Sequence, residues 1–372
     1  MANTPPDDGT PALRPCGPMS ARNPQTKMNS AGLVSFFACA APFVAVLVGT
    51  LGCGRSAIDD LTYPASDSLG STTDTCGAAG GVTVLASGLD TESVAPVMRD
   101  VQADANAVYW AGDLANGSAG ILSVPRCGGA VSTVATAGGS TIGGLVIDST
   151  SVYWTDPDVG AVMSAPLAGG VATTLASGQV QPSGIAVDAT SVYWTASGEQ
   201  NSFQVFGNVM RVALAGGAPE TLLTQEGNPV LIAVDADNVY WGDQSTSSLV
   251  ELPLAGGFPS TLVSLQEGYF THLTVANGSL YWSTNDTVAS LLVAGGTPVT
   301  LAASAGAFFD GVAVSATNAY WTDGAAGTVS SEPLGGSVVA TLATGQSPQG
   351  VAVSYGAVYW TNATSVASVN VK

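Results

Sequence analysis

Every tryptophan of this 372-residue chain directly follows a tyrosine: Trp110, Trp154, Trp194, Trp241, Trp282, Trp321 and Trp360. The intervals are 44, 40, 47, 41, 39 and 39 residues. The same punctuation surrounds each pair, as in GIAVDATSVYWTASG (Gly184 to Gly198), IAVDADNVYWGD (Ile232 to Asp243), GVAVSATNAYWTDG (Gly311 to Gly324) and GVAVSYGAVYWTN (Gly350 to Asn362). A second module follows: VMSAPLAGGVATTLASG (Val162 to Gly178), LVELPLAGGFPSTLVS (Leu249 to Ser264) and LLVAGGTPVTLAAS (Leu291 to Ser304). Each unit therefore holds four short apolar runs separated by turns, and Gly-Gly supplies the positive φ angles of a tight hairpin. Runs this short are strands rather than helices, and about 40 residues with four strands is the signature of a propeller blade. Adjacent Tyr and Trp point to opposite faces of a strand, so that strand is covered on both sides.

The chain ends count the blades. The last unit stops after its third strand, at TSVASVNVK. The missing fourth strand stands at the other end, where GGVTVLASG (Gly80 to Gly88) matches the AGG…TTLASG element. The expected fold is all-β: a seven-bladed propeller over 80–372, closed by an N-terminal strand that completes the last blade.

The YWTD sequence at Tyr153–Asp156 and Tyr320–Asp323, with YWGD at Tyr240–Asp243, resembles the repeat of the lipoprotein-receptor propellers, which have six blades. The companion PLAGG…TLASG element is similar to that of repeat-rich exported bacterial lipoproteins of uncharacterised function. The resemblance covers 80–372 and implies a propeller; it does not imply one activity, because propellers host receptors, lyases, lactonases and scaffolds alike.

From Ala31 to Leu51 the chain has no charged residue, Arg22 and Lys27 precede this run, and Gly52-Cys53-Gly54 follows it. This is the pattern of an export signal, with Met19 or Met28 as an alternative start. Residues 1–53 read as a lipoprotein-like signal or anchor with Cys53 as the lipidated residue, and 54–79 as a polar linker. Cys16 and Cys39 would leave with the signal. Cys76 and Cys127 remain, and the closed ring makes their blades neighbours, so a disulfide between them is expected outside the cytoplasm. Only eight Lys and Arg stand against 27 Asp and Glu, a net charge of −19. That balance excludes nucleic acid as a partner and leaves membrane contact to the N-terminal segment.

In a propeller the loops from strand 2 to 3, and from strand 4 to the next strand 1, share one face. Phe203, Phe206, Tyr269, Phe270, Phe308 and Phe309 all fall in such loops, and are candidates to line a cup for a protein, peptide or glycan. Phe258 lies elsewhere, after a Gly-Gly turn. The single histidine, His272, occupies the place of Gly184, Gly311 and Gly350, at the end of an inner strand facing the channel. Asp100 with Arg99, and Asp310, stand near the equivalent place in other blades. Together they are candidates for acid–base work of the lyase or lactonase kind, since seven-bladed lyases use a channel histidine. One histidine with scattered carboxylates favours a binding or scaffold module over an enzyme. Asp104, Asp148, Asp188 and Asp235 recur in the turn between strands 1 and 2, where a carboxylate bonds nearby backbone N–H groups. No calcium-loop run is present, and no metal, cofactor or stable oligomer is expected.

Overall fold

A computed structural model describes residues 76, 80–89, 100–197, 200–201, 204–205, 207–265, 268–336 and 338–371. The 1–53 signal or anchor region with Cys53, all of the 54–79 linker except Cys76, and the candidates Arg99, Phe203 and Phe206 lie outside the described residues.

Seven four-stranded antiparallel sheets follow one another along the chain. Blade two is the plainest: Gly144–Ile147, Ser151–Asp156, Ala161–Pro166 and Thr173–Ser177, from inner to outer strand. Blade seven takes three strands from the C-terminus, Pro348–Ser354, Ala357–Asn362 and Ser365–Asn370, and its outer strand from Val82–Ser87. The closing strand pairs antiparallel with its partner from Val82↔Val369 to Ser87↔Ser365. Every outer strand carries a register shift against its neighbour, as at Val84/Ala86 and Val162/Met163. Such bulges increase local twist and blunt the exposed edge of each blade against further pairing.

The Tyr-Trp pair explains how the blades stick together. Seven hydrophobic clusters correspond to the seven seams between blades, and each joins the Trp of one blade to the Tyr of the blade before it. Trp154 packs with Tyr109, Trp194 with Tyr153 and Trp241 with Tyr193. The seventh seam unites Trp110 of blade one with Tyr359 of blade seven, which closes the ring. All seven indoles are at most 2% exposed. A buried aromatic of this kind costs about 3–5 kcal/mol to truncate to alanine, so the indoles act as the keystones of the seams.

The polar members of the repeat are equally committed. Tyr153 Oη donates to Asp148 Oδ2 at 2.7 Å, while Asp148 Oδ1 accepts the N–H groups of Thr150 and Ser151. Blades one, three and four repeat this with Asp104–Tyr109, Asp188–Tyr193 and Asp235–Tyr240. Burial alone would raise the Asp148 carboxyl, but the donors from Thr150, Tyr153 and Ser151 outweigh it and hold the carboxyl below its ordinary value. Burial, reinforced by the carboxylate of Asp148 or Asp188, pushes the Tyr153 and Tyr193 phenols up to about 12. The threonine of the motif crosses the seam: Thr155 Oγ1 donates to Ser183 O at 2.5 Å, Thr195 Oγ1 to Val230 O at 3.3 Å and Thr322 Oγ1 to Gln349 O.

A disulfide joins Cys76 to Cys127 with Cα atoms 4.8 Å apart. It ties the segment before the closing strand to the Pro-Arg-Cys-Gly-Gly turn of blade one. Beside it the Arg126 guanidinium lies 5.3 Å from the Tyr355 ring centroid, and Asn370 Nδ2 donates to Cys76 O at 2.6 Å.

Candidate functional site

The face built from the 2–3 and 4–1 loops is held in shape by the last residue of the YWTD motif. Asp156 is fully buried, and its Oδ2 accepts from Gly138 N at 2.8 Å and Gly139 N at 3.0 Å, across from the preceding blade's loop. Asp158 continues the clasp by accepting both N and Oγ of Ser140, which holds its carboxyl below the ordinary value. Asp243 Oδ1 accepts Asn228, Ser245 and Thr246 N–H groups, and Asp323 Oδ1 accepts those of Phe308, Ala325 and Ala326. These carboxylates fasten loop to loop. Blade three also carries a small hairpin on this face, Gln200–Asn201 paired with Gln204–Val205, inside the longest of the inserted loops.

The aromatic candidates divide. Tyr269 and Phe308 stand out, 59% and 43% exposed, in the 4–1 loops that lead into blades five and six. Their chain neighbours do not. Phe270 is 2% exposed and packs on Gly242, where an added Cβ would meet its ring at 3.2 Å. Phe309 is 3% exposed within the seam cluster of Tyr281 and Trp321. Both hold the place that Ile142, Pro182, Pro229 and Pro348 fill in other blades, and all six are buried. The expectation that Phe270 and Phe309 line an open cup is therefore corrected: they are core residues, and Phe270 fills the space left where YWGD lacks a threonine.

His272 lies in the row of Asp100, Gly144, Gly184, Gly311 and Gly350, each just before the residue opposite the tryptophan. That row looks at the next blade rather than into the channel. A Cβ on Gly184 would come within 2.5 Å of Val230 O, one on Gly144 within 3.0 Å of Ser183 O and one on Gly311 within 3.0 Å of Val351 N. Asp100 shows the use of the row, since its Oδ2 accepts Leu145 N of blade two at 3.0 Å. Asp310 is 5% exposed in blade six, and both it and His272 engage neighbouring groups. Asp100 of blade one and His272 of blade five stand three blades apart round the ring, so the three described polar candidates, Asp100, His272 and Asp310, do not form one cluster. Among the described residues no group of three His, Cys, Asp or Glu could hold a metal ion.

Sequence patterning missed the opposite face. Both described ends of the chain lie there, Cys76 and the Asn370–Val371 pair, together with the Gly-Gly turns between strands 3 and 4. Residues just beyond those turns are strongly exposed apolar groups: Val171 at 88%, Phe258 at 92% and Val338 at 72%. Val171 and Phe258 directly follow their Gly-Gly pair and Val338 stands one residue later, so the recurring pair itself is the signal that would have found them.

No protein-family model and no curated protein matches the chain. Solved structures do. Virginiamycin B lyase from Staphylococcus aureus aligns over 78% of this chain and 99% of its own, with 11% identity and a TM-score of 0.63. Its catalytically inactive histidine-to-alanine variant with quinupristin aligns at 13% identity and a TM-score of 0.61, over 78% and 99% of the two chains. A chain of a nidogen/laminin complex aligns at 22% identity and a TM-score of 0.50, over 62% of this chain and 90% of its own. At these identities the likeness is one of fold: the chain is a seven-bladed β-propeller with YWTD-like repeats.

Proposed function

We propose that this protein is an exported cell-envelope propeller, held by an N-terminal lipid on Cys53 and serving as a binding or scaffold module through its loop face. The carrying observation is the division of labour on that face. Asp156, Asp243 and Asp323 spend their oxygens on their own loops, while Tyr269 and Phe308 project from two successive loops. Rigid, exposed aromatic rings on a fixed scaffold suit stacking on a sugar ring or capture of an apolar peptide side chain. The apolar run from Ala31 to Leu51 ahead of Cys53 supports export, and mass spectrometry of the mature N-terminus tests lipidation there.

The test of the module is a glycan and peptide array probed with wild type, Tyr269→Ser/Phe308→Ser and His272→Ala. Binding lost in the double variant and kept in His272→Ala supports the reading. The second reading, a lyase or lactonase using His272 with Asp310, draws on the fold shared with virginiamycin B lyase and on the adjacency of blades five and six. Turnover of a lactone or uronide panel that disappears in His272→Ala would replace the binding module with that enzyme.

A further inference from the structure

We infer that the Gly-Gly-turn face of the propeller rests on a lipid surface of no net charge, the bilayer to which its N-terminal segment is fastened. This rests on the anchored reading above, and adds to it an orientation and a second contact. The exposed side chains directly beyond the Gly-Gly turns of blades one to five are uncharged, Ala130, Val171, Ala218, Phe258 and Thr297, and so is Val338 two residues past the turn of blade six, in a chain of net charge −19. Val171, Phe258 and Val338 are 88%, 92% and 72% exposed, more than Tyr269 and Phe308 on the loop face. They sit on tight turns of fixed shape, with positive φ at Gly169, Gly170, Gly256, Gly257 and Gly335. They form a rim of separate points rather than one continuous patch, which suits shallow insertion between headgroups better than a packed protein interface.

The exit of the chain selects the occupant. Cys76 is fixed to this face twice, by its disulfide to the Gly-Gly turn of blade one and by Asn370. On the anchored reading the lipid sits on Cys53, and 22 residues separate it from Cys76. Even fully extended, that many residues reach at most about 80 Å, so the face that holds Cys76 stays within reach of the surface that holds the lipid. The carboxylates of Asp104, Asp148, Asp188 and Asp235 on the inner turns repel an anionic surface, which is why the surface is a net-neutral one. Strands of about six residues place the loop face roughly 20 Å farther out, so Tyr269 and Phe308 point away from the bilayer.

The full chain, reconstituted in vesicles of phosphatidylethanolamine and phosphatidylcholine, is read by flotation and by hydrogen exchange against the same chain in detergent micelles. The proposal expects flotation, and exchange at least tenfold slower at the amides of Val171, Phe258 and Val338 with no change at Tyr269 and Phe308. The variant V171D/F258D/V338D should still float but lose that protection. Flotation without protection overturns the docked face and leaves the anchor standing. No flotation overturns both. Protection on the loop face instead, or protection that grows with protein concentration in the absence of vesicles, overturns the proposal in favour of the opposite orientation or of a second copy.

Discussion

Replacing both disulfide cysteines, Cys76→Ser/Cys127→Ser, isolates what the covalent closure contributes. The cross-link spans 51 residues of sequence, and the chain-entropy treatment gives a loop of that size about 4 kcal/mol of stabilisation, acting on the unfolded chain. Native geometry does not offset this gain, because the Cα separation of 4.8 Å falls inside the range a disulfide bridges without moving the backbone. Nor should the ring spring open. The closing strand keeps its ladder from Val82 to Ser87, and Leu85 and Ala86 stay in the seam cluster with Trp110 and Tyr359. The expected outcome is a drop of about 3–4 kcal/mol in urea unfolding with near-wild-type circular dichroism. The slope m should also rise, since the unlinked unfolded chain exposes more surface. Native-state hydrogen exchange should show the amides of Val82–Ser87 losing protection before those of blades two to six. A stability loss below about 1 kcal/mol, with the closing strand as protected as in wild type, would refute the reasoning and assign closure to the ladder and seam alone.

Thr322→Val keeps the shape of a fully buried side chain but strands Gln349 O in blade seven and Gly311 N, for an expected loss of roughly 2–4 kcal/mol in chemical unfolding. Gly184→Ala places a Cβ 2.5 Å from Val230 O of the next blade, so the seam must part, and a loss of about 1–3 kcal/mol from overpacking is expected in the same assay. The Asp148–Tyr153 turn sets both pH limits. The Asp148 carboxyl is lowered in the fold, so its stabilisation is present above the ordinary carboxylate value near pH 4 and is lost as pH falls below it. The Tyr153 phenol is raised to about 12, so its stabilisation is complete below pH 10 and is lost as pH climbs from 10 through 12. Urea midpoints across both windows should respond less in Asp148→Asn than in wild type.

The repeat, the blade count and the closure were legible because each rests on a strict recurrence: a Tyr-Trp pair per blade and one fourth strand moved to the front of the chain. The candidate site was legible only in part, and the reason is local. In blades three to seven the inner strand opens with a register shift, as at Pro182/Ile185, Phe270/His272 and Phe309/Val312. Alternation of side chains, the usual guide to which residue faces where, fails across such a shift. Tyr269 and Phe270, or Phe308 and Phe309, therefore read as one aromatic cluster although each pair holds one exposed and one buried ring. His272 was placed toward the channel for the same reason, whereas its row abuts the next blade. The Gly-Gly turns lie at the far end of their hairpins from the register shift, so Val171 and Phe258 stand in the open where a repeat alignment puts them.

The borrowed outer strand of blade seven also puts a clock on folding. Hairpins within a blade join neighbours in sequence and can form as soon as they emerge, but Val82 pairs with Val369, about 290 residues later. At synthesis rates of roughly 5–20 residues per second, the strand waits about 15–60 s for its partner. During that time an uncharged Val-Thr-Val-Leu-Ala-Ser segment is unpaired at the leading end of the chain, the kind of segment that pairs with other chains when left waiting. Whatever accompanies this protein during its synthesis and transport has that first strand to shield, and release is safe only once the last few residues have arrived.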